Sequence, residues 1–116
     1  MDIRKIINKL RIFSKERDWD KFHTLKNLAC SINIESSELL EIFQWNELSK
    51  SEIKKKEIKK RISDEVADIM LYLIKFADIA KIDIENSCLE KIEKNKKKYP
   101  ISLSKGVSTK YNKLRG

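Results

Sequence analysis

Four carboxylates in two equally spaced pairs carry the strongest chemical signal in this chain. Glu35 and Glu38 stand three residues apart in ESSELLEIFQW, and Glu65 and Asp68 repeat the spacing in DEVADIMLYLIKF. On a helix, residues three apart are neighbours, so each pair presents its oxygens from one patch beside the apolar stripe. If the two helices pack antiparallel through those stripes, the pairs converge at the edge of the seam. Four like charges would then repel, and partial burial would weaken their hydration; a bound divalent cation reverses both effects. All-oxygen ligands indicate a hard ion. Mg²⁺ keeps several waters and is commonly held by carboxylates together with substrate phosphates, so it is the expected ion, with Mn²⁺ able to substitute. The alternative is ordinary salt-bridging helix surface, which is what a single ExxE usually is.

Other groups cluster around these four. Positions 61, 65, 68 and 72 follow steps of four, three and four, which puts Arg61 and Tyr72 on the stripe of Glu65 and Asp68. Arg61 could equally form an ion pair with Glu65, and Tyr72 could be a partly buried core ring. Trp45 lies two helical turns beyond Glu38, and Trp19 and His23 precede the second helix. Aromatic rings near a metal suit a nucleobase, because every base offers a π face, although a Trp at a helix end also serves packing.

The elements that must position these groups are helices. Two Gly and one Pro in 116 residues leave few breakers, and Lys, Glu, Leu and Ile are abundant. Ile3, Ile6, Ile7, Leu10 and Phe13 form the stripe of a first helix over residues 3 to 17. Thr24 caps a second, reaching about Trp45, with Leu25, Leu28, Ala29, Ile32, Leu39, Leu40 and Phe43 on one face. Ser49 and Glu52 have capping-box spacing and open a third, ending near Lys81, with Ile58, Ile62, Val66, Ile69, Leu73, Ala77 and Ala80 together. Asp83 caps a fourth with Ile84, Cys88, Leu89 and Ile92 inward, and Pro100 marks its limit. The expectation is a single all-α domain, a four-helix bundle over about 3–99 with a tail over about 100–116.

No run approaches the ~18 apolar residues of a membrane span, and the first residues carry charges throughout, so no membrane partner is expected and the chain reads as cytoplasmic. Cys30 and Cys88 show no metal-ligand spacing and read as core side chains. With 26 Lys and Arg against 18 Asp and Glu, the net charge of +8 suits a polyanionic partner. The lysine run SEIKKKEIKKR is otherwise a solvated face, although some of it could attract phosphate. Four amphipathic helices in so short a chain also favour sharing apolar surface with another copy.

Taken in order, ERDWDKFHTLKNLA, ESSELLEIFQW, DEVADIMLYLIKFADIAKIDI, EKIEKNKKKYP and SKGVSTKY resemble the MazG-like all-α nucleoside triphosphate pyrophosphohydrolase superfamily, and within it the dCTP pyrophosphatase branch. The resemblance implies hydrolysis of an NTP or dNTP, a pyrimidine dNTP such as dCTP foremost, to the monophosphate and pyrophosphate. It implies that Glu35, Glu38, Glu65 and Asp68 bind metal, with Glu35 or Glu38 activating the attacking water. It further implies that Trp19, His23 and Trp45 meet the base, that Tyr72, Asn95, Lys110 and Tyr111 meet substrate, and that the chain works as a homodimer or homotetramer. Ser36-Ser37 and Lys105 depart from the family pattern without removing a ligand, and Leu10 replaces a His of the dCTP branch. A non-catalytic basic protein gripping nucleic acid or an acidic partner is the alternative from another class, though nucleic acid is not the expected partner. A dUTPase or phosphoribosyl-ATP pyrophosphohydrolase relative is the alternative within the enzymes.

Overall fold

A computed structural model describes residues 1–108, and among them the regular structure is helical, with no strand. Helix α1, Ile3–Glu16, opens where the Asp2 side chain accepts from the Lys5 N–H at 3.0 Å. It ends as a Schellman motif: Trp19 N–H donates to Ser14 O at 2.9 Å and Asp18 N–H to Lys15 O at 3.1 Å, with Asp18 left-handed at φ 55°. Asp accepts that conformation because its short polar side chain makes it tolerable. A single 3₁₀ turn, Asp20–Phe22, leads to α2, Leu25–Phe43, which Thr24 caps as expected by accepting from Asn27 N–H at 3.1 Å.

The expected third helix is two. The capping box of Ser49 and Glu52 is present, but it opens only α3, Lys50–Ile53, and α4 starts afresh over Lys56–Ile79 after an extended Lys55. An unbroken helix would hold Ile53 and Ile58 about 140° apart, whereas the break lets both become half-buried. Helix α4 ends in a second Schellman motif, Ile82 N–H to Ala77 O at 2.8 Å, with Lys81 at φ 57°.

Residues 1–82 form one compact unit. Helix α4 is its axis and contacts α1, α2 and α3. Asp20, just before α2, meets Lys75 near the end of α4, while Glu35 and Glu38 meet Glu65 in its first half, so α2 and α4 run antiparallel. Leu28, Ile74 and Ala77 are the buried apolar side chains, joined by Ser14 and Lys75. Leu25, Leu40 and Val66, expected inside, are exposed because one neighbour on each side of α4 cannot cover the full width of these stripes. Cys30 is also exposed, a correction to its expected core role: two residues past Leu28, it lies about 200° round α2 from the buried side.

The second unit starts at Asp83 and contains α5, Ile84–Lys98, and α6, Ile101–Ser104. Asp83 caps α5 as expected, accepting from Asn86 N–H at 3.0 Å. The expected tail includes the helical turn α6, started by Pro100, whose carbonyl accepts from Leu103 and Ser104 N–H. Cys88, Leu89 and Ile92 were expected inward and are exposed, Leu89 by 58% and Ile92 by 52%; among the described residues of this unit α5 has only a four-residue companion. Among the described residues no helix is long and apolar enough to cross a membrane.

Candidate functional site

Glu35, Glu38 and Glu65 offer carboxylate oxygens that all lie within 4.8 Å of one another. Two helices bring them there: Glu35 and Glu38 are one step apart on α2, and Glu65 faces them from α4. Between the first two, the hydroxyls of Ser36 and Ser37 donate to Ile32 O and Asn33 O at 2.8 and 3.0 Å, so these side chains are satisfied within α2 and leave the carboxylates alone. Glu35 and Glu65 each hold an Oε2 that is buried without a hydrogen-bond partner. Loss of hydration pushes the Glu35 carboxyl up from 4.5 to about 7, reinforced by hydrogen bonding to Glu38 and by the charges of Glu38 and Asp68. Glu65 is raised as well, first by desolvation and then by Glu38, while its hydrogen bond with Glu35 pulls the other way. Both shifts have one cause, carboxylates brought close together where partial burial weakens their hydration. Orphaned, acceptor-only oxygens on convergent carboxylates are what a hard divalent cation satisfies, so the residues present fit such an ion.

Asp68 is not one of the three, but its charge reaches both Glu35 and Glu65 and it lines an adjacent cavity of about 240 Å³. Leu10, Phe13 and Ser14 of α1, Trp19 and His23 beside the 3₁₀ turn, and Leu71, Tyr72 and Lys75 of α4 complete the lining. The rings form a chain. The Arg17 guanidinium lies 3.8 Å from the Phe13 centroid, Phe13 meets Trp19 edge-on at 5.5 Å, and Trp19 meets His23 edge-on at 6.4 Å. The Schellman turn at Asp18 is what delivers Trp19 to this position. His23 adds a buried Nδ1 with no hydrogen-bond partner. The cavity thus couples flat aromatic surfaces to a carboxylate cluster through Asp68, a layout able to hold a planar ring at one end and a metal-bound polyanion at the other.

Of the residues singled out from the sequence, Glu35, Glu38 and Glu65 come together, and Asp68, Trp19, His23 and Tyr72 meet around the cavity. Trp45 does not line it: α2 ends at Phe43, and Trp45 beyond is 90% exposed. Arg61 is exposed and does not make the alternative ion pair with Glu65. Asn95 lies exposed on α5, in the second unit, and Lys110 and Tyr111 fall outside the described residues. Sequence reasoning missed Phe13, Ser14, Leu71 and Lys75. Lys75 carried a readable signal, because it continues the stripe of 61, 65, 68 and 72 by a further step of three; Ser14 carried none.

A model of the MazG-like family matches residues 30–114. The chain is 33% identical over 104 residues to dCTP pyrophosphatase 1 of Rattus norvegicus, covering 88% of this chain and 61% of the relative. It is 32% identical to the Homo sapiens protein of the same name, with the same coverage. The chain therefore spans about three fifths of the length of these curated relatives. A pyrophosphatase of Archaeoglobus fulgidus, known from a crystal structure, superimposes with a TM-score of 0.78 at 42% identity, covering 86% of this chain and 94% of that one.

Proposed function

The chain belongs to the MazG-like family, and we propose that it is a nucleoside triphosphate pyrophosphohydrolase, cleaving between the α and β phosphates to give a monophosphate and pyrophosphate. A pyrimidine deoxynucleotide such as dCTP is the proposed substrate, and such a reaction on the nucleotide pool belongs in the cytoplasm. The observation that carries this reading is the carboxylate cluster of α2 and α4, with orphaned oxygens on Glu35 and Glu65, set against an aromatic cavity. The relatives named dCTP pyrophosphatase 1 and the Archaeoglobus fulgidus pyrophosphatase support the same chemistry.

Glu35, Glu38, Glu65 and Asp68 would hold the divalent cation, Mg²⁺ with Mn²⁺ as substitute. Bound there, the ion would neutralise phosphate oxygens and acidify a bound water. The chain's own part is positioning and charge balance, which dominate phosphoryl-type reactions. Glu35 or Glu38 takes the proton of the attacking water. Trp19 and His23 flank the base, and the apolar wall of Leu10, Phe13 and Leu71 excludes water from that end. Tyr72, Arg61, Asn95, Trp45, Lys110 and Tyr111 are proposed to meet substrate, Trp45 and the last two within a homodimer or homotetramer.

The test is a panel of NTPs and dNTPs with Mg²⁺, assayed for released pyrophosphate. Pyrophosphate from at least one pyrimidine dNTP, abolished by EDTA and restored by Mg²⁺ or Mn²⁺, is expected. Stepwise loss of orthophosphate would overturn the assignment.

A further inference from the structure

Lys75 is a buried cation that the proposed chemistry does not use. Its side chain is 7% exposed, and its ammonium donates to Asp20 Oδ1 at 3.1 Å, a residue 59% exposed at the start of the 3₁₀ turn. That turn lies between Trp19 and His23, the two rings on its side of the cavity. Each end of the segment is tied to its own neighbours: Trp19 N–H donates to Ser14 O, and the Asn27 side chain donates to Phe22 O at 2.9 Å. Neither tie reaches α4. Among the described residues the Lys75–Asp20 bond is the hydrogen bond that fastens the turn to the helix bearing Glu65, Asp68 and Tyr72.

We infer that the Asp20–Lys75 ion pair is a positioning device for base selectivity, holding the Trp19–His23 wall at a set distance from α4. Burying an ammonium carries a hydration penalty that an apolar side chain of similar length would not, so a lysine here requires a compensating partner. The charge of Asp78 on α4 itself also acts on Lys75, but the hydrogen-bonded partner, Asp20, is on the segment that bears the rings. Lys75 follows Asp68 and Tyr72 on one face of α4, so the metal-side carboxylate, the cavity phenol and the pin share one rigid element. A wall fixed to that element keeps the base end in register with the phosphate end. Released from it, the turn relaxes, the cavity accepts bases less selectively, and the reacting end is untouched.

This rests on the pyrophosphohydrolase reading, and its test is chosen so that the two fail separately. The variants are Lys75→Met, Asp20→Ala, their double and Lys75→Arg, in the full chain with Mg²⁺. Both single variants should raise KM for dCTP roughly ten-fold with kcat little changed, the signature of lost positioning in binding. Both should draw the kcat/KM ratio of dCTP to dATP towards one. The double should match the singles, and Lys75→Arg should restore selectivity. Additive effects, a fall in kcat alone, or unchanged selectivity would overturn the pin. Should Lys75→Met fail to fold, Asp20→Ala, on the exposed partner, decides alone. Independently of any turnover, acrylamide quenching of Trp19 fluorescence is read in a Trp45→Phe background, which leaves one of the two Trp residues. Quenching should increase in Asp20→Ala, and unchanged quenching overturns the pin even in an active enzyme. If the wild type releases no pyrophosphate, the functional reading falls while the quenching still decides the pin.

Discussion

Glu35 on α2 and Glu65 on α4 bring carboxylate oxygens within 4.8 Å of one another, and each keeps an oxygen buried without a hydrogen-bond partner. Once both groups are ionised, a pair so placed opposes folding through repulsion and lost hydration, and a bound cation would reverse both effects.

The first prediction compares activity with stability in Glu38→Ala and Glu65→Ala. Removing one member relieves repulsion in the metal-free protein, so its melting temperature should stay level or rise. Pyrophosphate release should fall on the order of 100- to 1000-fold, the scale for losing one electrostatic contact at a reacting centre. In the wild type, Mg²⁺ at 100 times its Kd should add about 2.7 kcal/mol by mass action, and the variants should gain much less. Melting curves with and without Mg²⁺, beside the release assay, check this; active variants with an unaltered metal response would refute the site.

The pH dependence has two opposed limbs. Glu35 is raised from 4.5 to about 7, so between those values the folded protein binds more protons than the unfolded chain. Its contribution to stability is complete below 4.5 and lost as pH rises through about 7. Asp78 is held below its ordinary 3.8 by the hydrogen bond from Arg11, whose Nε donates at 2.9 Å; its contribution is present above 3.8 and lost as pH falls further. The metal-free protein should therefore be most stable on the acid side of neutrality. Mg²⁺ should move the optimum upward, because ligation requires the deprotonated carboxylates. Urea midpoints across the acid and neutral range, with and without Mg²⁺, measure both limbs.

The seam between α2 and α4 should dominate stability. Leu28 is 1% exposed and Ile74 fully buried. Leu28→Ala should cost ~2–5 kcal/mol and Ile74→Val ~0.5–1.5 kcal/mol. Cys30→Ser, at an exposed position, should change stability by no more than about 0.5 kcal/mol. Guanidinium unfolding of the three variants tests the ranking, and a Cys30→Ser cost near that of Leu28→Ala would return Cys30 to the core.

Exposed apolar side chains bear on assembly. Leu89, Ile92 and Ile101 are 58%, 52% and 80% exposed, and large apolar groups gathered in one segment commonly mark an interface. A homodimer or homotetramer is therefore expected by sedimentation at micromolar concentration, and Leu89→Asp with Ile92→Asp should shift it to monomer. A wild type that sediments only as monomer would contradict the proposal.

Much of this was legible in the sequence because its causes are short-range. The helices follow from apolar spacing, and the Thr24, Asp83 and Ser49–Glu52 caps from side chains meeting backbone three residues on. The two carboxylate pairs are likewise local, since a spacing of three on a helix suffices to make them neighbours. The break at Lys55 and the left-handed Asp18 and Lys81 were not legible: each looks locally like continuing helix or loop, and the usual glycine is missing. What only the tertiary structure decided is how distant segments register. Antiparallel packing of α2 on α4 fixes that Glu65 meets Glu35 and that Lys75, 55 residues away, reaches Asp20. Packing of α1 on α4 likewise brings Phe13 and Ser14 into the cavity wall, while Trp45 stays in solvent. Sliding one helix by a residue turns its contacting face by about 100°, so which carboxylates and rings meet depends on packing that no local spacing encodes.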